Sequence, residues 1–149
     1  MPDPITVLDF RTELRAPIER VFAAVTEGPH LAHWLCDEAR SDPQPGGRLT
    51  LIWTRPGSTP QPFEARWVVF EPTSSAAFDG GHSGYPDGYA GRVGFELASR
   101  GEGTVLVTRH RLPARPDYEP ISATYRAAWP RALERLVAYL DGETPAASS

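Results

Sequence analysis

The chain has 149 residues, which suits one domain with a hydrophobic core of its own. Its 19 acidic and 15 basic side chains give a net charge of −4, which argues against a nucleic-acid partner because binding DNA or RNA needs concentrated positive charge. No apolar run is long enough to span a membrane, and residues 1–10 lack the features of a signal peptide. The lone Cys36 cannot form an internal disulfide. We therefore expect a cytoplasmic protein with neither nucleic acid nor membrane as a partner.

The first quarter of the chain predicts one strand followed by two short helices. Residues 5–14 alternate with side chains that favour strands, and Pro17 then suits the first turn of a helix. Apolar residues at helical spacing continue to about Gly28, and a second short helix covers residues 29–35.

The middle of the chain predicts six antiparallel strands, because alternating segments are separated by turns rich in Gly and Pro. Residues 55–62 and 80–91 are the longest of these connections, and the strands lie at residues 36–42, 48–53, 63–70, 74–78, 92–97 and 104–111.

A long amphipathic helix is predicted from Asp117, as N-cap, to Gly142. Pro130 removes one backbone donor, so we expect a kink or break near Trp129. The apolar stripe that should face a sheet consists of Ile121, Tyr125, Ala128, Trp129, Ala132, Leu133, Leu136, Val137 and Leu140.

Several spaced motifs resemble the START-like helix-grip (SRPBCC) superfamily, and within it the branch named after the activator of the heat-shock chaperone ATPase. They are residues 26–34, 42–47, 70–72 and 103–106, and Trp129 with the leucines that follow it. The resemblance implies an α+β fold, in which a curved antiparallel sheet of six or seven strands wraps around the C-terminal helix. It covers one domain at residues 5–142, with flexible ends at 1–4 and 143–149.

The resemblance also implies a cavity between sheet and helix that holds an apolar small molecule. Alternation and helical spacing favour six residues as its ligand-binding lining: Trp53, Trp67, Phe95, His110, Tyr125 and Trp129. Aromatic side chains on one face of a sheet are, however, most often part of a plain core. The chain departs from the family pattern at Ala65, Ala128 and Pro130, which we expect on the cavity walls.

His110 is the titratable residue that shares the predicted inner face, with Leu106 and Thr108. It could orient a ligand by a hydrogen bond, move a proton, or be a satisfied structural histidine. Possible acidic partners are Glu64, Glu96 and Asp79, but both glutamates alternate out of phase with the apolar face.

Other patterns give weaker signals. His30 and His33 near Cys36 superficially resemble metal ligands, but solvated histidines at a helix end are the better interpretation. The glycine-rich residues 80–91 lack a phosphate-loop ending, although Tyr85 or Tyr89 could cover a cavity mouth. We expect no metal, no cofactor and no cysteine nucleophile.

Three functional hypotheses follow. The first is a protein that binds an apolar or aromatic small molecule. The second is a cyclase or hydrolase that acts on a polyketide-like or aromatic substrate, with His110 as general acid or base. The third is a regulatory protein that contacts a chaperone through the outside of the sheet. A homodimer is left open.

Overall fold

The computed structural model describes residues 4–54, 57, 62–81 and 91–141. Within these residues, seven antiparallel strands form one sheet in the order β1-β7-β6-β5-β4-β3-β2, and a long C-terminal helix follows the last strand. The elements are β1 (Ile5–Leu14), α1 (Ile18–Thr26), α2 (Gly28–Trp34), β2 (Glu38–Ser41), β3 (Arg48–Ile52), β4 (Phe63–Glu71), β5 (Ser75–Gly81), β6 (Gly91–Arg100), β7 (Gly103–Pro113) and α3 (Glu119–Asp141). The predicted α+β helix-grip fold is confirmed.

The two faces of the sheet differ as the alternation predicts. On β7, residues Thr104, Leu106, Thr108, His110 and Leu112 are buried on the inner face. On the outer face, charged side chains pair across neighbouring strands: Arg109 contacts Asp9 of β1 and Glu96 of β6. The inner face therefore builds the core, whereas the outer face carries ion pairs together with exposed apolar residues such as Val7 and Val68.

A β-bulge in β4 changes the predicted alternation. The register between β4 and β5 shifts between Trp67 and Val69, so that Trp67 pairs with Phe78 and Val69 with Ala77. Strict alternation from Trp67 would place Val69 on the inner face, but beyond the bulge it is Phe70 that packs on the core. A bulge inserts one extra residue and moves every later side chain to the other face, which alternation alone cannot reveal.

The start and the buried stripe of α3 also differ from the prediction. A 3-10 turn at Pro116–Tyr118 precedes the helix, so that Asp117 lies within this turn and pairs with Arg115. The helix is continuous through Pro130, so of the expected kink or break the break does not occur, and the kink stays a prediction. Ala128 is exposed and Ser122 is buried, which corrects the predicted stripe.

The second half of α3 is attached to the rest of the fold by polar contacts. The Asp141 carboxylate accepts hydrogen bonds from the backbone N–H groups of Arg15 (2.9 Å) and Ala16 (3.3 Å), ahead of α1. The Arg135 guanidinium donates to the carbonyl of Trp34 at the end of α2, at 2.9 Å. These contacts hold α3 against both short helices.

The sequence suggested that His30 and His33 are solvated histidines at a helix end. The structure shows that they also take part in packing. Both contact Tyr139 of α3: its hydroxyl lies 2.7 Å from His30 Nδ1, and the His33 ring stacks on its ring with centroids 4.6 Å apart. The pair therefore helps to dock α2 on α3.

Some predictions fall outside the described residues. The structure extends β5 to Gly81 and begins β6 at Gly91, so the predicted loop is shorter than residues 80–91; Tyr85 and Tyr89 lie in its undescribed part. The terminal segments 1–3 and 142–149, and most of the 55–61 connection, are likewise outside the described residues. No helix among the described residues is long and apolar enough to cross a membrane.

Candidate functional site

The inner face of the sheet carries a continuous series of ring contacts that ends at His110. Phe95 of β6 contacts Trp129 of α3, with centroids 6.3 Å apart, and Trp129 contacts His110, with centroids 6.1 Å apart. The His110 ring also lies against Tyr125, with centroids 4.4 Å apart. Four of the six predicted site residues therefore form one cluster between β6, β7 and the middle of α3.

The other two predicted residues lie farther along the sheet. Trp67 is fully buried and reaches the cluster through Phe78, which contacts both Trp67 (5.5 Å between centroids) and Phe95 (6.4 Å). Trp53 lies one residue beyond β3 and is only partly buried; its indole N–H donates to the Leu35 carbonyl at 2.8 Å. Among the described residues, neither Trp53 nor Trp67 makes a ring contact with His110 or Tyr125.

Among the described residues, the side chain of His110 makes one hydrogen bond. The indole N–H of Trp129 donates to His110 Nδ1 at 3.0 Å, deep in the core. Burial lowers the pKa of His110 from 6.5 to about 4, because an imidazolium would lose its hydration there. At neutral pH the side chain is therefore uncharged.

Two buried polar atoms on β7 remain without a hydrogen bond. Among the residues that the structure describes, neither His110 Nε2 nor the Thr108 hydroxyl has a partner. The two residues are two positions apart on the same strand, so their side chains share the inner face. Buried polar groups normally find a partner, because leaving one unpaired costs about 1–3 kcal/mol. This pair is the chemically distinctive part of the interior.

The predicted acidic partners do not reach His110. Asp79 pairs with Arg92, Glu96 with Arg109, and Glu64 accepts from the Thr50 hydroxyl at 2.9 Å. All three carboxylates occupy exposed positions or interact on the outer side of the sheet. None of these three carboxylates therefore supports His110 as a general base.

Cys36 does not have the surroundings of a nucleophile. Its thiol lies 3.2 Å from the Glu38 carbonyl, and burial raises its pKa to about 11. The reactive form of cysteine is the thiolate, which this environment disfavours. Within the described part of the chain, no group of three or more His, Cys, Asp or Glu side chains is arranged to hold a metal ion.

An open groove of about 410 Å³ lies at the far end of β7, lined by residues that include Arg15, Arg100 and Thr104. Thr104 is six residues from His110 on the same strand, which corresponds to roughly 20 Å. The groove mixes acidic and basic side chains and is separate from the aromatic cluster.

Comparison with known families identifies this arrangement. The family model described as "Activator of Hsp90 ATPase homolog 1-like protein" matches residues 15–141. The chain belongs to this family. The resemblance inferred from the motifs is thereby confirmed, whereas a comparison with curated proteins gave no match.

Solved structures share the fold of this chain. A protein from Rhodobacter sphaeroides is 23% identical, with a TM-score of 0.78 over 91% of this chain and 93% of that one. The Aha1 dimer from Colwellia psychrerythraea is 14% identical, with a TM-score of 0.76 over 94% and 99%. DynU16, from the dynemicin biosynthetic locus, is 24% identical, with a TM-score of 0.73 over 91% of this chain and 47% of that one. At these identities the likeness concerns the fold alone.

The departures from the family pattern take different places in the structure. Ala65 is buried on the inner face of β4, where its methyl group packs against Gly80 of β5. Ala128 and Pro130 are exposed on α3, so they do not line the interior as we expected.

Sequence reasoning placed Thr108 on the inner face but did not select it as a site residue. Its importance comes from its unpaired hydroxyl, which depends on what surrounds it. Ser122 and Tyr118, both buried, were missed for a similar reason: a polar residue or a 3-10 turn interrupts the apolar period. A buried threonine beside a buried histidine at alternate strand positions is the signal that could have selected Thr108.

Proposed function

We propose that this protein binds an apolar or aromatic small molecule between the inner face of the sheet and the first half of α3. The observation that carries the proposal is the unpaired polar pair, Thr108 Oγ1 and His110 Nε2, set among aromatic rings. A ligand site is typically an apolar space with a few polar groups that fix orientation. Thr108 and His110 would supply those groups.

The packing of α3 supports the same location. Between Glu119 and Ala128, only Ser122 is buried, whereas Ile121 and Tyr125 are partly exposed. The apolar side chains of this half of α3 are therefore only partly covered by the fold, although His110 beneath them is buried. An apolar ligand there would bury side chains that water now reaches, and burial of such surface is favourable.

The other two hypotheses have less support. A cyclase or hydrolase would use His110 to move a proton, but its pKa is lowered to about 4 and the acidic candidates pair elsewhere. A chaperone-regulating role rests on the family description. The outer face of the described sheet carries paired charges such as Arg109 and Glu96. Its exposed large apolar side chains among the described residues are Ile5, Val7 and Val68, which is little apolar surface for a partner.

The homodimer is a separate proposal, supported by the solved Aha1 dimer that shares this fold. Light scattering of the purified chain over a range of concentrations should give twice the monomer mass. A constant monomer mass at all concentrations would contradict it.

Binding can be tested with two matched threonine variants. Thr104 and Thr108 lie on the same face of β7, and both are buried, but the Thr104 hydroxyl donates to the Ala16 carbonyl at 2.9 Å. We expect naphthalene-based aromatic compounds to bind the wild-type protein saturably, as measured by tryptophan fluorescence at pH 7. Thr108→Val should weaken binding by several-fold while stability is unchanged or raised, because an unpaired hydroxyl is replaced by a methyl group of similar shape.

Thr104→Val is the control. It removes a satisfied hydrogen bond and should cost about 1–2 kcal/mol in urea unfolding, with ligand affinity unchanged. A panel without saturable binding to the folded wild-type protein would refute the proposal. Equal loss of stability in both variants would show that water or protein already satisfies Thr108.

A further inference from the structure

The hydrogen bond from Trp129 determines which nitrogen of His110 carries the proton. An indole N–H can only donate, so His110 Nδ1, at 3.0 Å, must accept. A neutral imidazole has one proton for its two nitrogens. With Nδ1 accepting, that proton lies on Nε2, and Nε2 becomes a hydrogen-bond donor.

This donor has no acceptor among the described residues. A β-carbon at Gly91 would lie 3.4 Å from His110 Nε2 and 3.1 Å from Leu112 Cδ2, so a glycine at this position adds no side chain of its own beside Nε2. The low pKa of His110, about 4, means that the neutral ring persists at neutral pH. The site therefore presents a neutral, fixed N–H group inside an aromatic surrounding.

A fixed donor discriminates among ligands. An oxygen acceptor, such as a ketone, quinone or phenolate oxygen, would complete the hydrogen bond, whereas a methylene group would leave it unmade. An ammonium group would place its own donors and its charge against Nε2–H. Sites built to hydrogen-bond a ligand atom reject analogues that lack that atom, because the buried group is then left unpaired.

We propose that the ligand is an aromatic compound with an oxygen acceptor that bonds to His110 Nε2–H, and that Trp129 is the positioning residue that holds His110 in this tautomer. The inference rests on the proposed ligand site and specifies the class of ligand it takes. The Thr108 hydroxyl, which can donate or accept, is the second polar contact available to the same ligand.

A matched ligand pair tests the acceptor requirement. 2-Acetylnaphthalene and 2-ethylnaphthalene share a skeleton and differ by a carbonyl in place of a methylene group. We expect the ketone to bind the full-length wild-type protein about tenfold more tightly, and this preference to disappear in His110→Phe. 2-(Aminomethyl)naphthalene, a cation at pH 7, should bind most weakly of the three.

The outcomes separate this inference from the proposed function. Equal affinity of ketone and ethyl compound for the wild-type protein would overturn the acceptor requirement while leaving a binding site in place. Absence of binding by either compound would count against the site itself and therefore against both proposals. A preference for the ketone that survives in His110→Phe would show that another group supplies the donor.

The role of Trp129 has its own readout. Nitrogen-15 NMR of the His110 ring distinguishes the two neutral tautomers, and we expect the Nε2–H form in the wild-type protein. Trp129→Phe keeps an aromatic ring beside Phe95 but removes the indole N–H, so the Nδ1–H form should become populated and the preference for the ketone should fall. A merely structural tryptophan would leave the tautomer unchanged. An Nδ1–H tautomer in the wild-type protein would overturn the inference.

Discussion

The two halves of α3 perform different tasks, although their sequence periodicity is the same. From Trp129 to Asp141, five residues of the stripe are buried: Trp129, Ala132, Leu133, Leu136 and Leu140. From Glu119 to Ala128, the buried residue is a serine, Ser122. The second half closes the core, while the first half lies over His110 with its apolar side chains partly exposed.

This difference shows that an apolar stripe does not guarantee burial. A continuous stripe is buried only where the facing surface is close enough to pack against it. Ile121 and Tyr125 remain partly exposed near the end of the sheet where Thr108 and His110 have unpaired polar atoms. The half with partly exposed apolar side chains is therefore the half where we propose that a ligand binds.

The largest effect should come from leucine truncation in the second half. Leu136 is fully buried, so Leu136→Ala should lower the free energy of unfolding by about 2–5 kcal/mol through lost burial and a cavity. Ile121→Ala, in the first half, should cost less than about 1 kcal/mol, since Ile121 is partly exposed. Urea unfolding measures both, and similar losses would show that the two halves are packed equally.

The pH dependence of stability should report His110 at the boundary between the halves. Its pKa is about 4 in the folded protein and near 6.5 when unfolded. Below pH 6.5 the unfolded state takes up a proton that the folded state does not, so stability should fall by up to about 3 kcal/mol between pH 6.5 and 4.

His110→Phe is the control for this prediction, because carboxylates also titrate in this range. The variant should lose less stability than the wild-type protein from pH 6.5 to 4 in urea unfolding. Parallel pH profiles would mean that the folded pKa of His110 is not depressed.

A smaller effect should come from the polar contacts at the end of α3. Asp141→Ala removes the acceptor for the N–H groups of Arg15 and Ala16 and should cost about 1–2 kcal/mol. Asp117→Ala, before the first half, breaks only an exposed pair with Arg115 and should cost about 0–1 kcal/mol. Thermal unfolding measures both variants. A larger loss of stability in Asp117→Ala than in Asp141→Ala would refute the prediction.

The smallest effect should come from Tyr139, which docks the second half on α2. Tyr139→Phe removes the hydroxyl that contacts His30 but keeps the ring that stacks on His33. Because the contact is only partly buried, the loss should be at most about 1 kcal/mol. Urea unfolding at pH 7 checks this value, and a loss above 2 kcal/mol would show that the hydroxyl anchors α3 more firmly than its exposure suggests.

Much of the fold could be predicted because its periodicities are regular. Alternation identified the inner residues of β7, and helical spacing identified Leu133, Leu136 and Leu140 of α3. The bulge after Trp67 could not be predicted, because an extra residue in one strand is defined only by the strand that pairs with it. The burial of Ser122 and the exposure of Ala128 could not be predicted either, because both depend on where α3 meets the sheet.

The sequence by itself determined the order of elements, the family and most of the residues that face inward, because each follows from local spacing or from motifs. The tertiary structure decided which of these residues meet. Trp129 and His110 are 19 residues apart, and their hydrogen bond depends on the register of α3 along β7, which neither period specifies. The same register leaves His110 Nε2 and the Thr108 hydroxyl without partners among the described residues, since it decides which atoms of other elements come within reach of β7.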